Sequence, residues 1–105
     1  MYRSGLIDAV ITIASDDDLT AEVDLGEYCD TLIVYIPTLT SSNLTLYVSD
    51  EDGGTFKAVG SSLTVAAGTG DYWDVWILGS HRYIKIGTSA GQAANRTFKV
   101  CGVRS

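Results

Sequence analysis

Two acidic runs, Asp16-Asp17-Asp18 and Asp50-Glu51-Asp52, are the first residues of this chain whose types could do chemistry. Clustered carboxylates can supply oxygen ligands to a hard cation such as Ca²⁺. Neither run has ligands at the fixed alternate positions, or the closing Glu, of a calcium-binding loop. Solvated turns are therefore the plain expectation for both. The one histidine, His81, follows Ser80 directly. Nucleophilic catalysis needs a hydroxyl or thiol held by a base that a third group orients. Adjacent residues of a strand point to opposite faces, so Ser80 and His81 do not make such a pair. The chain also lacks a Gly-x-Ser-x-Gly elbow and a phosphate-cradling glycine loop. Cys29 and Cys101 lie outside any Cys-x-x-Cys spacing, and two cysteines are too few for a disulfide scaffold. Free thiols are expected. The reading is a non-enzyme with no catalytic residue, no metal site and no cofactor.

The segment Ser49-Asp50-Glu51-Asp52-Gly53-Gly54-Thr55-Phe56 resembles an Asp-box, a hairpin motif of the form Ser-x-Asp-x-Gly-x-Thr-Trp/Phe. Asp52 sits one position late and its glycine is adjacent. In proteins with that motif it is a structural turn. The resemblance implies a carboxylate accepting backbone N–H bonds, glycines at positive φ and Phe56 anchoring the hairpin. It implies architecture rather than activity.

Aromatic side chains carry the remaining potential for recognition. Trp73 and Trp76 are three residues apart in an extended run and must face opposite sides. With Trp73 inside, Tyr72, Asp74 and Trp76 project outward. Ile33, Tyr35 and Tyr47 lie opposite the core-facing residues of their own strands, and a hairpin of 32–36 with 44–48 would bring Tyr47 near Ile33. Ile33, Tyr35, Tyr47, Tyr72 and Trp76 are thus the expected outward face. An apolar-aromatic face marks a protein interface, can serve as a platform for sugar rings, or is covered by another part of the chain.

The elements that must position these residues are strands. Residues 20–25 alternate Ala21, Val23 and Leu25 against Thr20, Glu22 and Asp24. Residues 44–48, 82–87 and 97–103 alternate in the same way. Residues 31–36 and 72–78 are apolar on both faces, as suits a central strand or a covered one. Shorter candidates are 8–14, 55–59 and 62–66. Turn residues punctuate these runs: Asp16-Asp17-Asp18, Pro37, Ser41-Ser42-Asn43, Asp52-Gly53-Gly54, Gly60, Gly68-Thr69-Gly70 and Gly79. No segment has a helical repeat, and residues 88–96 read as a loop. About eight or nine short strands at this spacing predict an all-β, single-domain β-sandwich, jelly-roll-like, over residues 1–105, with residues 1–8 as an N-terminal arm. The predicted core is Ile11, Ile13, Val23, Leu25, Leu32, Val34, Ile36, Leu44, Leu46, Val48, Phe56, Leu63, Val65, Trp73, Val75, Ile77, Ile84, Ile86, Phe98 and Val100.

Composition narrows the partners. Seven basic against thirteen acidic residues give a net charge of −6, and the basic residues are scattered. Phosphate backbones need a basic stripe, so nucleic acid is not an expected partner. No apolar run approaches the length of a membrane-spanning helix, and Asp8 interrupts the start before a signal-peptide core could form. A cytoplasmic product is expected. Asn43-Leu44-Thr45 and Asn95-Arg96-Thr97 match the N-glycosylation pattern by chance in that setting.

An ordered set of segments resembles a family of small proteins encoded among tailed-phage structural genes. It comprises Ile11-Thr12-Ile13-Ala14-Ser15, Ala21 to Gly26, Leu32 to Pro37, Asn43 to Ser49, a Gly-Gly-Thr turn, Arg82 to Ser89, and Gln92 to Thr97. The acidic run 16–18 and the tryptophan-rich 72–78 segment are not part of that set. The resemblance implies a virion component, most concretely a capsid decoration protein assembled in the host cytoplasm. Its partner would be the major capsid protein of the same phage. A carbohydrate-binding module on a tail or attachment structure, and a tail or neck adaptor, are the alternatives, so a glycan is the other ligand class. A symmetric particle surface favours a homo-oligomer, with a trimer expected. Contact is expected through the N-terminal arm, with Tyr2 and Arg3, together with the outward aromatic face.

Overall fold

A computed structural model describes residues 2–12, 19–59, 64–89 and 91–104, without the side chains of 64–66. The backbone is extended almost throughout. Its elements are β1 (Tyr2–Arg3), β2 (Ile7–Ile11), β3 (Val23–Ser49), β4 (Lys57–Ala58), β5 (Thr64–Thr88) and β6 (Arg96–Arg104). Every pairing between them is antiparallel. Runs that the sequence presents as separate strands are fused. Residues 23–25, 31–36 and 44–48 all lie within β3, and 64–66, 72–78 and 82–87 lie within β5.

The fusion has a local cause. β3 and β5 form one antiparallel ribbon, from Val23 opposite Ile84, through Val34 opposite Asp74, to Leu44 opposite Val65. The ribbon bends at two places without giving up its ladder. Register shifts fall between Asp24 and Cys29 and between Thr38 and Ser42. Gly26, Gly79 and Ser80 take positive φ at the first bend, and Gly68, Gly70 and Asp71 at the second. A Cβ is strained in this region, and glycine has none. At Gly70 a Cβ would also run into the Pro37 carbonyl oxygen.

The bends fold the ribbon onto itself. Residues 44–49 return beside 83–88, with Leu46 opposite Ile86 and Val48 opposite Ile84. Ile84 therefore has Val23 on one side and Val48 on the other. One layer is built from β1 and β2, β6, residues 31–36 and residues 72–77. The other holds 23–24, 83–88, 44–49 and β4. The result is a β-sandwich whose core lies between the layers. Phe98, Ile11, Leu25, Leu32, Ile36, Leu44, Leu46, Leu78, Ile84, Ile86, Val34 and Val100 are fully buried there. Each such side chain stabilises the fold by roughly 1.5–3 kcal/mol relative to exposure.

The predicted core residues of β3, and Ile11, Ile84, Ile86, Phe98 and Val100, are all buried. Four predictions are corrected. Trp73, Val75 and Ile77 are exposed, and Trp76 and Leu78 are buried in their place. Phe56 is half-buried, with the Lys85 Nζ 4.8 Å from its ring centroid. Ile13, Leu63, the Val65 side chain and Asp16-Asp17-Asp18 lie outside the described residues. The segment expected as an arm is paired instead. Tyr2 and Arg3 lie opposite Arg104 and Val103, and Ile7 and Asp8 opposite Val100 and Lys99. Unpaired backbone groups along β6 favour this pairing over a free tail.

Candidate functional site

Directly opposite residues of an antiparallel sheet share a face. In the layer containing β6 the register therefore defines three rows on the outer surface. Asp8, Lys99, Tyr35 and Trp73 form the first. Cys101, itself buried, Ile33 and Val75 form the second. Arg3, Val103, Thr31 and Ile77 form the third. Trp73 is 55% exposed, Val75 61% and Ile77 74%. Together with half-buried Ile33 and Tyr35 they make an apolar band at the β5 side of this face. Charged residues close the β6 side, where Lys99 Nζ meets Asp8 Oδ1 at 3.1 Å.

Tyr35 is fixed within the band. Its hydroxyl donates to Asp71 Oδ1 at 2.6 Å. That bond to a carboxylate holds the phenol proton and pushes the Tyr35 pKa up. The Tyr35 and Trp73 ring centroids are 5.2 Å apart.

The sequence-predicted face is only partly assembled. Ile33 and Tyr35 share it, and Arg3 joins its third row. Trp76 does not: it is 4% exposed, and its Nε1 donates to Asp74 Oδ2 at 3.0 Å. The run 72–78 is apolar on both sides, and a one-residue choice of phase reverses every side chain. Placing Trp73 inside selected the wrong phase. An acid two residues before an indole shares its face and can accept its N–H, which is the sequence signal for the observed phase. Tyr72 sits beside the Gly70–Asp71 bend at the rim. Tyr47 lies in the other layer, opposite Lys85 and Ala58, because 37–43 crosses between layers rather than forming a hairpin. Tyr2 is structural. Its hydroxyl donates to the Leu25 carbonyl oxygen at 2.6 Å, against the Cα of Gly26, where any Cβ would collide with it.

A second feature is an open cleft of about 540 Å³, lined by Ser49, Asp50, Glu51, Thr55, Lys57 and His81 among others. The turn beside it is tied by Ser49, whose Oγ accepts from the Glu51 N–H at 3.2 Å, and by Glu22 Oε1, which accepts from the Gly53 N–H at 2.8 Å. Glu22 takes the role the Asp-box resemblance gives to an Asp of the turn. The bond between Glu22 and Asp52 raises the Glu22 pKa. His81 Nδ1 lies 2.7 Å from the Leu78 carbonyl oxygen, and Nε2 lies 3.7 Å from Asp50 Oδ1. The ring nitrogens thus face Leu78 and Asp50 rather than Ser80. No Phe, Tyr or Trp lines the cleft, and none of its lining residues belongs to the apolar band. Among the described residues no group of three or more His, Cys, Asp or Glu is placed to hold a metal ion.

No family model matches this chain, and no curated protein matches it. Solved structures share its fold. The SPBc2 prophage-derived protein YomS superposes with a TM-score of 0.56 at 20% identity, over 92% of this chain and 93% of that one. A CBM32 module of AlyQ, solved with 4,5-unsaturated mannuronic acid, gives 0.55 at 14% identity over 95% and 78%. Chitosan-binding module 1 from a chitosanase/glucanase of Paenibacillus sp. IK-5 gives 0.53 at 19% identity over 78% and 66%. At these identities the likeness establishes the β-sandwich fold.

Proposed function

We propose that this chain is a non-catalytic structural component of a bacteriophage particle. In its most concrete form it is a capsid decoration protein that seats the outer face of the β6–β3–β5 layer on the shell. The observation that carries this reading is the exposed band of Trp73, Val75 and Ile77. Apolar side chains gathered on one flat face gain roughly 25 cal/mol for each Å² taken out of water, so the band favours an occupant. The ordered sequence segments shared with small phage structural proteins supply the setting. The near full-length likeness to a prophage-derived protein is consistent with it. The major capsid protein of the same phage is the partner this reading names.

The test uses mature particles and the purified chain. Mass spectrometry of purified virions is expected to find the chain in stoichiometric copies. Ile77→Glu, a substitution at an exposed site, is expected to keep the wild-type circular dichroism and to lose co-sedimentation with particles. Absence of the chain from virions overturns the reading. Electron microscopy of the particle separates a shell position from a tail or neck adaptor.

A second reading, a carbohydrate-binding module, draws on the shared fold with modules of that kind and on the exposed Trp73 ring near the Asp71 carboxylate. Sugar sites join a stacking ring to converging polar groups in a concavity. Here the Trp73 ring stands on a sheet face and the polar cleft has no Phe, Tyr or Trp, which ranks this reading second. A glycan array would promote it if a hit were lost on Trp73→Ala.

A further inference from the structure

The outer edge of residues 72–77 is unpaired among the described residues. Among the described residues this segment is hydrogen-bonded on one side, to 31–36, and nothing pairs with its other side. Exposed edges are ordinarily blunted by lysine, proline or a bulge. Residues 72–78 contain no lysine and no proline, and the register from Thr31 to Ile36 runs without a shift. One guard is present: Asp74 Oδ1 accepts from the Val75 N–H at 2.9 Å. The alternation of the ladder points the Val75 N–H to the open side, and this contact satisfies it there.

We propose that a second copy of this chain pairs with this edge, antiparallel, about a two-fold axis through Val75. The sequence is self-complementary in that register. Val75 faces the Val75 of the second copy, and Trp73 faces its Ile77, so the apolar band continues across the junction. Asp74 falls opposite Trp76 and Asp71 opposite Gly79, so no two carboxylates meet. Neighbouring registers are worse. An axis through Asp74 opposes two buried-side acids, and an axis through Trp76 leaves Trp73 opposite Gly79 with no ring or aliphatic partner. Pairing replaces the Asp74 contact with a backbone hydrogen bond across the axis. Edge pairing covers only the flanks of Trp73, Val75 and Ile77 that turn toward the seam, well short of the roughly 800 Å² each partner buries in a stable complex. The dimer is therefore weak and concentration-dependent. It extends the sheet through both copies and doubles the apolar face. The inference deepens the contact reading by naming a partner for its edge, and it stands on the chain alone, without the particle.

Sedimentation velocity from about 10 µM to about 1 mM, the range of weak association, is expected to show a coefficient rising from monomer to dimer. Val75→Cys is expected to give a covalent dimer under mild oxidation, because opposed Cα atoms at about 4.5–5.5 Å fit a disulfide. Ile77→Cys is expected not to, since its counterpart is displaced four residues, about 13 Å, along the strand. Val75→Pro, which removes the edge donor, is expected to be monomeric with unchanged circular dichroism. A monomer throughout the range overturns the inference. So does a Val75→Pro dimer equal to wild type, or equal cross-linking by the two cysteine variants. Should Val75→Pro fail to fold, the cysteine pair decides. Loss of the dimer leaves the virion measurement unaffected, so the two readings fail separately.

Discussion

Tyr35 and Trp73 stand opposite each other on adjacent strands, with their rings tilted 54° and their centroids 5.2 Å apart. The Tyr35 hydroxyl is at the same time bound to Asp71, at the bend where β5 enters this layer. The most exposed aromatic of the molecule is thus braced by a residue that the bend itself anchors. Asp71→Asn keeps a residue type that tolerates positive φ and removes the negative charge. The Tyr35 pKa is expected to fall toward the ordinary tyrosine value, because the neutral amide no longer penalises the phenolate. Ultraviolet titration of the phenol reads this directly. An unchanged titration would mean that the bond is absent in solution.

The two tryptophans are expected to respond oppositely to truncation. Trp76 is buried against the core, and Trp76→Ala is expected to cost about 3–5 kcal/mol, the range for deleting a large buried aromatic. Trp73→Ala removes a side chain from solvent and is expected to cost less than about 1 kcal/mol. Urea unfolding of the two variants checks the assignment. Equal losses would contradict the phase of β5.

The same pair marks the limit of what the sequence carries. Where one face of a strand is polar, as at 23–25, 44–48 and 82–87, alternation identified the buried side chains, because only one phase hides the apolar set; at 20–21 it did not, since Thr20 is buried, its hydroxyl accepting from the Ile86 N–H, and Ala21 is exposed. At 72–78 both phases hide apolar residues, and the choice depends on a contact between Asp74 and Trp76 that hydropathy does not express. The fusion of strands into β3 and β5 was also hidden. Gly68, Gly70 and Gly79 read as breaks between strands, yet here they bend a continuous ladder. Of the candidate face, Ile33 and Tyr35 were legible from strand alternation. Trp73, Val75 and Ile77 were not, since their exposure follows from the phase of a strand at the edge of the layer.

Gly102 is held to its identity by Cys29. A Cβ at Gly102 would come within 2.7 Å of the Cys29 Sγ and 3.1 Å of Leu25 Cδ1. Gly102→Ala is expected to destabilise by about 1–3 kcal/mol through overpacking. Cys29→Ala makes room, so the double variant is expected to lose less than the two single losses combined. Burial pushes the Cys29 thiol pKa up, and alkylation of Cys29 is expected to proceed only on unfolding. Additive losses would show that the two residues do not share a packing site.

Asp24 and Arg82 tie the first bend, with Arg82 Nε and Nη2 donating to the two carboxylate oxygens at 2.7 and 3.0 Å. The guanidinium holds the Asp24 pKa below its ordinary 3.8. A carboxylate depressed on folding stabilises the native state above its unfolded value and ceases to do so as the pH falls through its folded value. The contribution is therefore present at pH 7 and disappears below about pH 4, the ordinary carboxylate range. Both side chains are more than a third exposed, so solvent screening keeps it under about 1 kcal/mol. Glu22 acts in the opposite sense. Its pKa is raised by Asp52, so protonating it relieves the fold as the pH falls. Asp24→Asn is expected to lower stability at pH 7 and leave it nearly unchanged at pH 2, flattening the acid limb of the stability profile. Asp52→Asn is expected to return Glu22 toward its ordinary pKa and steepen that limb. Urea midpoints measured from pH 2 to pH 7 separate the two, and parallel profiles for wild type and Asp24→Asn would count against the bend as the place where this charge acts.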